Sequence, residues 1–472
     1  MLTHLLPIRS LLLGTALLLI GNGLLSTLIA LRGSLEGFSD QLIGLMGSAY
    51  FVGFLLGTFT IPSLIRNIGH IRAFTFLAAA MAATVLLHSL IVHPWVWLAL
   101  RVLTGMALVG IYTIIESWLN SRTEPASRGF VLGVYTVANM CAMALAQQFL
   151  HLASPAEFVL FSLAAVMVCF SVLPLASTRQ PQPVVHAVPK LSLKALWKAA
   201  PVAANASILS GLVQGSFWSI MPLYATRMGF DAGGVAMLMT ATILGGAVLQ
   251  LPLGRLSDKV DRRLVLGLST ALATLAAIGI AFLGEIQYAL LGGAFMFGGM
   301  MFALYPIAIA HLVDHLSSED FLSGNVGMLL LHGLGAIAGP VITGLLMSQI
   351  GPLGLPVYFA AILAPFTVYV LLRVRRARDH IVEEPAQFVP MERTSTEAME
   401  MAAAAEEHHV ESVTESAEAL PPQTDDANTA YVHATADALQ QAGENISAES
   451  EVGTDDTPPA TPTYPPEPTR RE

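Results

Sequence analysis

Charge is what this chain has least of. Asp, Glu, Lys and Arg make up 12% of its 472 residues, about half the share usual in a soluble globular protein. Cysteine is scarce too. Cys141 and Cys169 lie in separate apolar runs, which excludes a disulfide framework or a cysteine metal site and reads as two buried thiols. The chain has no G-x-x-x-x-G-K-[ST] loop, which argues against a primary ATP-driven pump. No H-E-x-x-H, Ser-His-Asp grouping or Cys/His cluster supports an enzyme or a resident cofactor. Nothing in the charge pattern points to nucleic acid. Acids are rare in the body and crowded into the tail. Residues 1–378 hold 20 Lys/Arg against 12 Asp/Glu, whereas residues 379–472 hold 3 against 21.

What is present is hydrocarbon. The mean hydropathy is +0.65, and about 20 apolar residues suffice to cross a bilayer as a helix. Twelve such runs appear: 11–31, 41–63, 71–91, 95–118, 128–150, 157–176, 201–225, 234–254, 263–283, 287–310, 323–347 and 353–373. The first is too long for a signal-peptide core and lacks a small-residue cleavage site, so it reads as a retained helix. Membrane lipid is therefore a partner of nearly the whole body.

Between runs eight and nine lies GRLSDKVDRR (254–263), with Arg255, Asp258, Lys259, Asp261, Arg262 and Arg263 in ten residues. Charge that dense belongs in a polar hairpin at a membrane surface. If that surface is cytoplasmic, alternation puts 17 Lys/Arg in inside segments and only Arg32 and Arg227 in outside loops, with Arg101 inside a helix. The positive-inside rule then makes both termini cytoplasmic, as in a bacterial inner-membrane protein. One inside loop, 311–322, has no cation but carries Asp314, Glu319 and Asp320.

The longest interior loop, 177–200, separates two sets of six runs that match at an offset of 192–193 residues. Asn22-Gly23 pairs with Gln214-Gly215, Gly53 with Gly245, Gly105 with Gly298, Tyr112 with Tyr305, and Gln147 with Pro340. Such an internal repeat is expected of transporters whose halves are related by an axis along the membrane normal. The expected organisation is a six-helix bundle at 1–176, a cytoplasmic loop at 177–200, a second bundle at 201–378 and an acidic tail at 379–472. The tail cannot bury enough apolar surface to fold, so disorder is expected there, with no identifiable partner.

Twelve spans in two halves, with GRLSDKVDRR after run eight, resemble the major facilitator superfamily. Its signature, roughly G-x-L-a-D-r-x-G-r-r, is met here by Gly254, Leu256, Asp258, Arg262 and Arg263, with Asp261 replacing the later Gly. The other copy, PSLIRNIGHIR (62–72), keeps Gly69 and Arg72 but has Pro62 for the first Gly and Arg66 for the acid. Arg101-x-x-x-Gly105 is similar to the family's arginine-glycine pair in helix 4. Helix 5 lacks the Gly-Pro motif of drug/proton antiporters, and Gly335-x-x-x-Gly339-Pro340 lies in helix 11 instead. ESWLN (116–120) and ALYPIAIAH (303–311) resemble a YcaD-like bacterial branch. The resemblance implies an all-α membrane protein, two pseudo-symmetric six-helix bundles, and transport of a small-molecule substrate by alternating access.

Arg101 is the sharpest candidate, because an unpaired guanidinium in a bilayer costs several kcal/mol. It reads either as a cavity cation for an anionic substrate or as an arginine snorkelling to the interface marked by Trp95 and Trp97. Glu116 reads as a proton carrier or as an interfacial ion pair with Arg122, Arg128 or Arg66. Protons are the candidate coupling ion. Asn22, Asn139, Gln147, Gln214, Trp218, Gln250, Tyr305 and His332 are candidates for facing a central cavity, each also readable as an interhelical hydrogen bond. His332 has the ordinary pKa range for titration near neutrality.

The resemblance implies that Asp258 latches onto the start of helix 5, near Arg128-Gly129, with Arg262 and Arg263 as cationic support. Arg66, at the twin position, would then face Glu319 and Asp320 as a charge-swapped gate. The rival class is a membrane receptor or scaffold of the same fold that has lost transport and acts through its tail.

Overall fold

A chain this apolar has no water to satisfy its backbone within a bilayer, so each run closes its hydrogen bonds internally as a helix. The computed structural model describes residues 8–176, 183, 193–283, 286–316, 321–376, 388–390 and 401, all within one unit of the chain, residues 1–411. The first six long helices are α1 (Arg9–Leu35), α2 (Asp40–Ile68), α3 (His70–Leu90), α4 (Pro94–Arg122), α5 (Arg128–Gln148) and α6 (Val159–Ala176). The second six are α7 (Pro201–Arg227), α8 (Ala232–Ser257), α9 (Arg262–Leu283), α10 (Gln287–Val313), α11 (Phe321–Ile350) and α12 (Gly354–Arg376). A short helix, Leu193–Ala199, precedes α7.

Local chemistry sets the ends. The Leu42 N–H donates to Ser39 Oγ at 3.3 Å to start α2, and the Gly234 N–H donates to Asp231 Oδ1 at 2.7 Å to start α8. Pro94 and Pro201 occupy the first turns of α4 and α7, where the missing N–H costs no bond. The chain turns from α2 into α3 at Gly69, whose φ of 82° suits glycine alone.

Among the described residues, nine stretches are long and apolar enough to cross a bilayer, α11 and α12 falling within one of them. Two helices stand outside that set. α6 is short, and α7 carries Ser207, Ser210, Gln214 and Ser216 along a body that is almost wholly buried. A helix sheathed in protein need not be greasy.

The two sets of six pack alike. In the first half α2 lies on α4, α1 on α5 and α6, and α3 on α4 and α6. In the second, α8 lies on α10, α7 on α11 and α12, and α9 on α10 and α12. The repeated glycines explain the match. A Cβ on Gly53 would run into the Val102 carbonyl, and one on Gly245 into that of Phe295. Gly105 meets the Tyr50 carbonyl as Gly298 meets that of Thr242. Each pair is separated by 192 or 193 residues, so one close backbone crossing was built twice.

The halves meet through α2 against α11 and α5 against α8. Direct hydrogen bonds join them at the end remote from the 254–263 hairpin. There Arg227 Nη2 reaches Asp40 Oδ1 at 2.6 Å, Gln41 Nε2 donates to Ser348 Oγ at 2.9 Å, and Gln148 Nε2 donates to Thr240 Oγ1 at 2.6 Å. Slightly deeper, Ser48 Oγ donates to the Ile337 carbonyl at 2.6 Å. This remote end is sealed.

Some expectations change. Cys141 and Cys169 are exposed on the outer surface of the bundle, not buried. That surface is hydrocarbon-facing, and a thiol is apolar enough to sit there. Trp97 does not mark an interface. It is fully buried, 5.3 Å from Phe38 and 5.4 Å from His88 between ring centres, and its indole N–H donates to the Ile91 carbonyl at 2.9 Å. Trp95 is exposed as expected. Glu319, Asp320, most of the 177–200 loop and nearly all of the acidic tail lie outside the described residues.

Candidate functional site

An open cavity lies between the halves. The first half contributes Asn22 and Ser26 from α1, Tyr50, Phe51, Phe54 and Thr58 from α2, Arg101 and Tyr112 from α4, and Met140 and Met143 from α5. The second contributes Gln214, Trp218 and Ser219 from α7, Phe302 and Tyr305 from α10, and His332 from α11. The twins Asn22 and Gln214 both face it, as do Tyr112 and Tyr305. Most of the wall is aromatic or aliphatic, with a few polar groups, the usual make-up of a small-molecule site.

Arg101 is the only Arg, Lys, Asp or Glu among the lining residues. Its position follows from Gly105, one turn further along the same face of α4. Because Gly105 has no side chain, α2 approaches until the Tyr50 carbonyl touches it. That approach sets the Tyr50 ring 4.4 Å from the Arg101 Cζ and leaves a long 3.5 Å bond from Arg101 Nε to the Met46 carbonyl. Arg101 is only 4% exposed. Among the described residues its Nη1 has no hydrogen-bond partner, and neither does Asn22 Oδ1. The snorkelling alternative is thus not what the geometry gives. The equivalent place in the second half is Ala294, fully buried, so the cation sits on one side of a near-symmetric cavity.

Opposite it, the rings of Tyr305 and His332 meet edge to face at 5.0 Å. Gln214 Nε2 donates to Ser210 Oγ at 2.8 Å and to the Met301 carbonyl at 3.3 Å, which fixes its amide. Phe217, Trp218 and Phe302 form an aromatic cluster with centres 4.8–6.0 Å apart.

Four candidates do not line the cavity. Gln147 ties α5 to α1: Thr27 Oγ1 donates to its Oε1 at 2.7 Å, and its Nε2 reaches the Gly23 carbonyl at 3.4 Å. Glu116 is 1% exposed and accepts from the Tyr135 hydroxyl at 2.9 Å, between α4 and α5. Asn139 is buried one turn beyond Tyr135, and Gln250 is likewise buried away from the lining. In the other direction, the aromatic wall of α2 went unmarked in the sequence. An aromatic residue in a membrane run looks the same whether it faces lipid or a cavity.

At the hairpin end, Arg262 is the organising residue. It is 3% exposed, with Nε 2.7 Å from Asp314 Oδ2 and Nη1 3.2 Å from Asp258 Oδ1. Arg263 pairs with Asp261 at 2.8 Å, not with Asp258. Among the described residues, the hydrogen bonds of Asp258 run to Arg262 and to the C-terminal segment, with none to the start of α5. Its second partner is the backbone N–H of Phe388, which donates to Oδ1 at 2.9 Å. Burial lifts the Asp258 carboxyl above its ordinary value against the pull of Arg262 and that N–H. Burial also acts upward on Asp261, but the side-chain and backbone bonds from Arg263 outweigh it and hold that carboxyl below its ordinary value. Arg66 is exposed near the end of α2.

Comparison with known proteins agrees with this architecture. The model of the Major Facilitator Superfamily matches residues 11–237 and 203–404. The chain is 28% identical over 374 residues to YcaD of Escherichia fergusonii, described as an uncharacterized MFS-type transporter, covering 79% of this chain and 96% of that one. It is 28% identical over 380 residues to an uncharacterized MFS-type transporter of Enterobacter sp. (strain 638), covering 79% and 97%. Among solved structures, the nucleoside transporter NupG aligns with a TM-score of 0.65 at 13% identity, covering 79% of this chain and 99% of that one. The human organic anion transporter MFSD10 aligns at 0.56 and 14%, covering 77% and 98%. The chain is a multi-pass membrane protein that belongs to the Major Facilitator Superfamily, the superfamily of secondary transporters.

Proposed function

We propose that this protein moves a small organic anion across the membrane by alternating access, with the carboxylate or similar group of the solute held by Arg101. The observation that carries this reading is the buried, incompletely bonded guanidinium facing an aromatic cavity that holds no acid. A charge so placed is costly unless an opposite charge arrives to meet it. The solved relatives of the fold include carriers named for nucleosides and for organic anions, so the fold alone does not choose a cargo. The single lining cation supports an anion. Tyr50, Phe54, Trp218 and Phe302 suit a flat or aliphatic body attached to the charged group.

By the distribution of basic residues, the hairpin end is cytoplasmic and the membrane is a bacterial inner membrane. The sealed remote end then faces outside, and this conformation is the one open toward the cytoplasm. Protons are the proposed coupling ion. His332 in the cavity wall is the first candidate carrier, and the buried Glu116–Tyr135 pair is the second.

A thermal-shift screen of purified protein against aromatic and aliphatic carboxylates and their uncharged amides tests the reading. Stabilisation by a carboxylate but not by its amide, lost in Arg101→Gln, is the expected result. Equal stabilisation by amides would sink the assignment to anions.

A further inference from the structure

Three residues of the C-terminal segment, Phe388, Val389 and Pro390, lie inside the fold, well past the last long helix. Phe388 and Pro390 are buried. From this position the segment bonds to both halves. The Phe388 N–H donates to Asp258 Oδ1 at 2.9 Å at the end of α8. The Phe388 ring covers Gly254 so closely that a Cβ there would overlap it. On the other side Thr136 Oγ1, on α5, donates to the Pro390 carbonyl at 3.3 Å. The Pro390 ring stands 3.6 Å from where a Cβ on Gly133 would be.

α5 and α8 are the helices that touch directly at the remote end, through Gln148 and Thr240. At the hairpin end the segment stands between them. It also occupies Asp258, the group the family resemblance assigns to a latch on the start of α5. A three-residue stretch held by two backbone bonds, an apolar plug and a proline of fixed φ makes a rigid spacer.

We propose that the α5–α8 cleft at the hairpin end is a docking site for the Phe388-Val389-Pro390 segment of the same chain. Docked there, the segment wedges the transporter open at that end and withholds Asp258 from closure. Transport then requires the segment to leave, so the acidic tail beyond it becomes a handle by which release is controlled. This rests on the alternating-access reading but not on the identity of the solute.

The test uses the full chain with Cys141→Ser and Cys169→Ser. A disulfide between Gly133→Cys and Pro390→Cys under mild oxidation reports the contact. Spin labels on Ala126→Cys and Lys259→Cys, both exposed at this end, report the separation of the halves by pulsed electron resonance. The expected results are an efficient cross-link and one long distance in the parent. Phe388→Ala with Pro390→Ala should give a shorter-distance population at least fivefold larger, and Phe388→Leu should restore the parent pattern.

No cross-link, or a cross-link with distances unchanged by the double substitution, overturns the wedge. Asp40→Asn serves as the independent control, since it loosens the remote seal. A shift there without one in the tail variants leaves alternating access standing and removes only the wedge. No shift in either removes both.

Discussion

The Tyr50 ring lies 4.4 Å from the Arg101 guanidinium carbon, face to cation, at the wall of a cavity shared by both halves of the molecule. The contact is made possible by Gly105, which lets α2 close onto α4. It offsets part of the cost of burying the charge while leaving Nη1 open to a ligand. A cation–π contact in a desolvated setting is worth about 0.5–2 kcal/mol. Tyr50→Leu should therefore weaken anion binding roughly two- to thirtyfold, while Tyr50→Phe stays near the parent. Titration of a carboxylate found in the screen checks both.

The duplicated glycine crossings should be the least tolerant sites of the bundle. Gly53→Ala and Gly245→Ala each push a methyl into a backbone carbonyl, which no rotamer change relieves. Overpacking of this kind costs about 1–3 kcal/mol or more. The melting temperature in detergent should fall by similar amounts for the two twins. Gly279→Ala, where a Cβ meets open space, should leave it unchanged.

Those glycines also show what was readable without coordinates. The 192–193 offset paired these positions as a repeat, because a position that admits only hydrogen leaves a trace in one chain twice over. The side of the membrane was arguable from Lys and Arg alone. Asn22, Gln214, Trp218, Tyr305 and His332 were readable as cavity candidates because polar groups in hydrocarbon need a reason. For Gln147 the other reading, an interhelical hydrogen bond, is what Thr27 provides. Tyr50 was invisible, since nothing local separates a lipid-facing ring from a cavity-facing one. The partner of Asp258 was equally hidden. It is a backbone N–H 130 residues away, and backbone donors carry no residue type.

The remote seal rests in part on Arg227 and Asp40, 2.6 Å apart, with the Arg227 side chain 41% exposed. Exposed pairs contribute about 0.2–1 kcal/mol. Asp40→Asn should thus raise the population open at that end by no more than about fivefold. Exchanging the charges, with Asp40→Arg and Arg227→Asp, should restore the parent distribution. Spin-label distances across the remote end measure it.

Asp258 and Asp261 should respond oppositely to loss of charge. Asp261 is held below its ordinary value, so its stabilisation is present above that value and disappears as pH falls through the lowered folded one. Asp261→Asn should lower the melting temperature at pH 7, and the deficit should vanish in acid. Asp258 is raised, so its folded state favours the neutral form, and any stabilisation is lost as pH rises through the folded value. Asp258→Asn keeps an acceptor for the Phe388 N–H and should leave the melting temperature equal or higher at pH 7. Melting curves of the two variants across pH separate the signs.

The central claim is that an anion crosses through the cavity by way of Arg101. Its most direct measurement is uptake of radiolabelled aromatic and aliphatic carboxylates, and of their amides, into proteoliposomes with and without an imposed pH gradient. The account predicts saturable flux of a carboxylate but not its amide, reduced at least tenfold in Arg101→Gln and retained in part in Arg101→Lys. Flux of amides equal to that of carboxylates, flux indifferent to Arg101→Gln, or no flux of any carboxylate would contradict it.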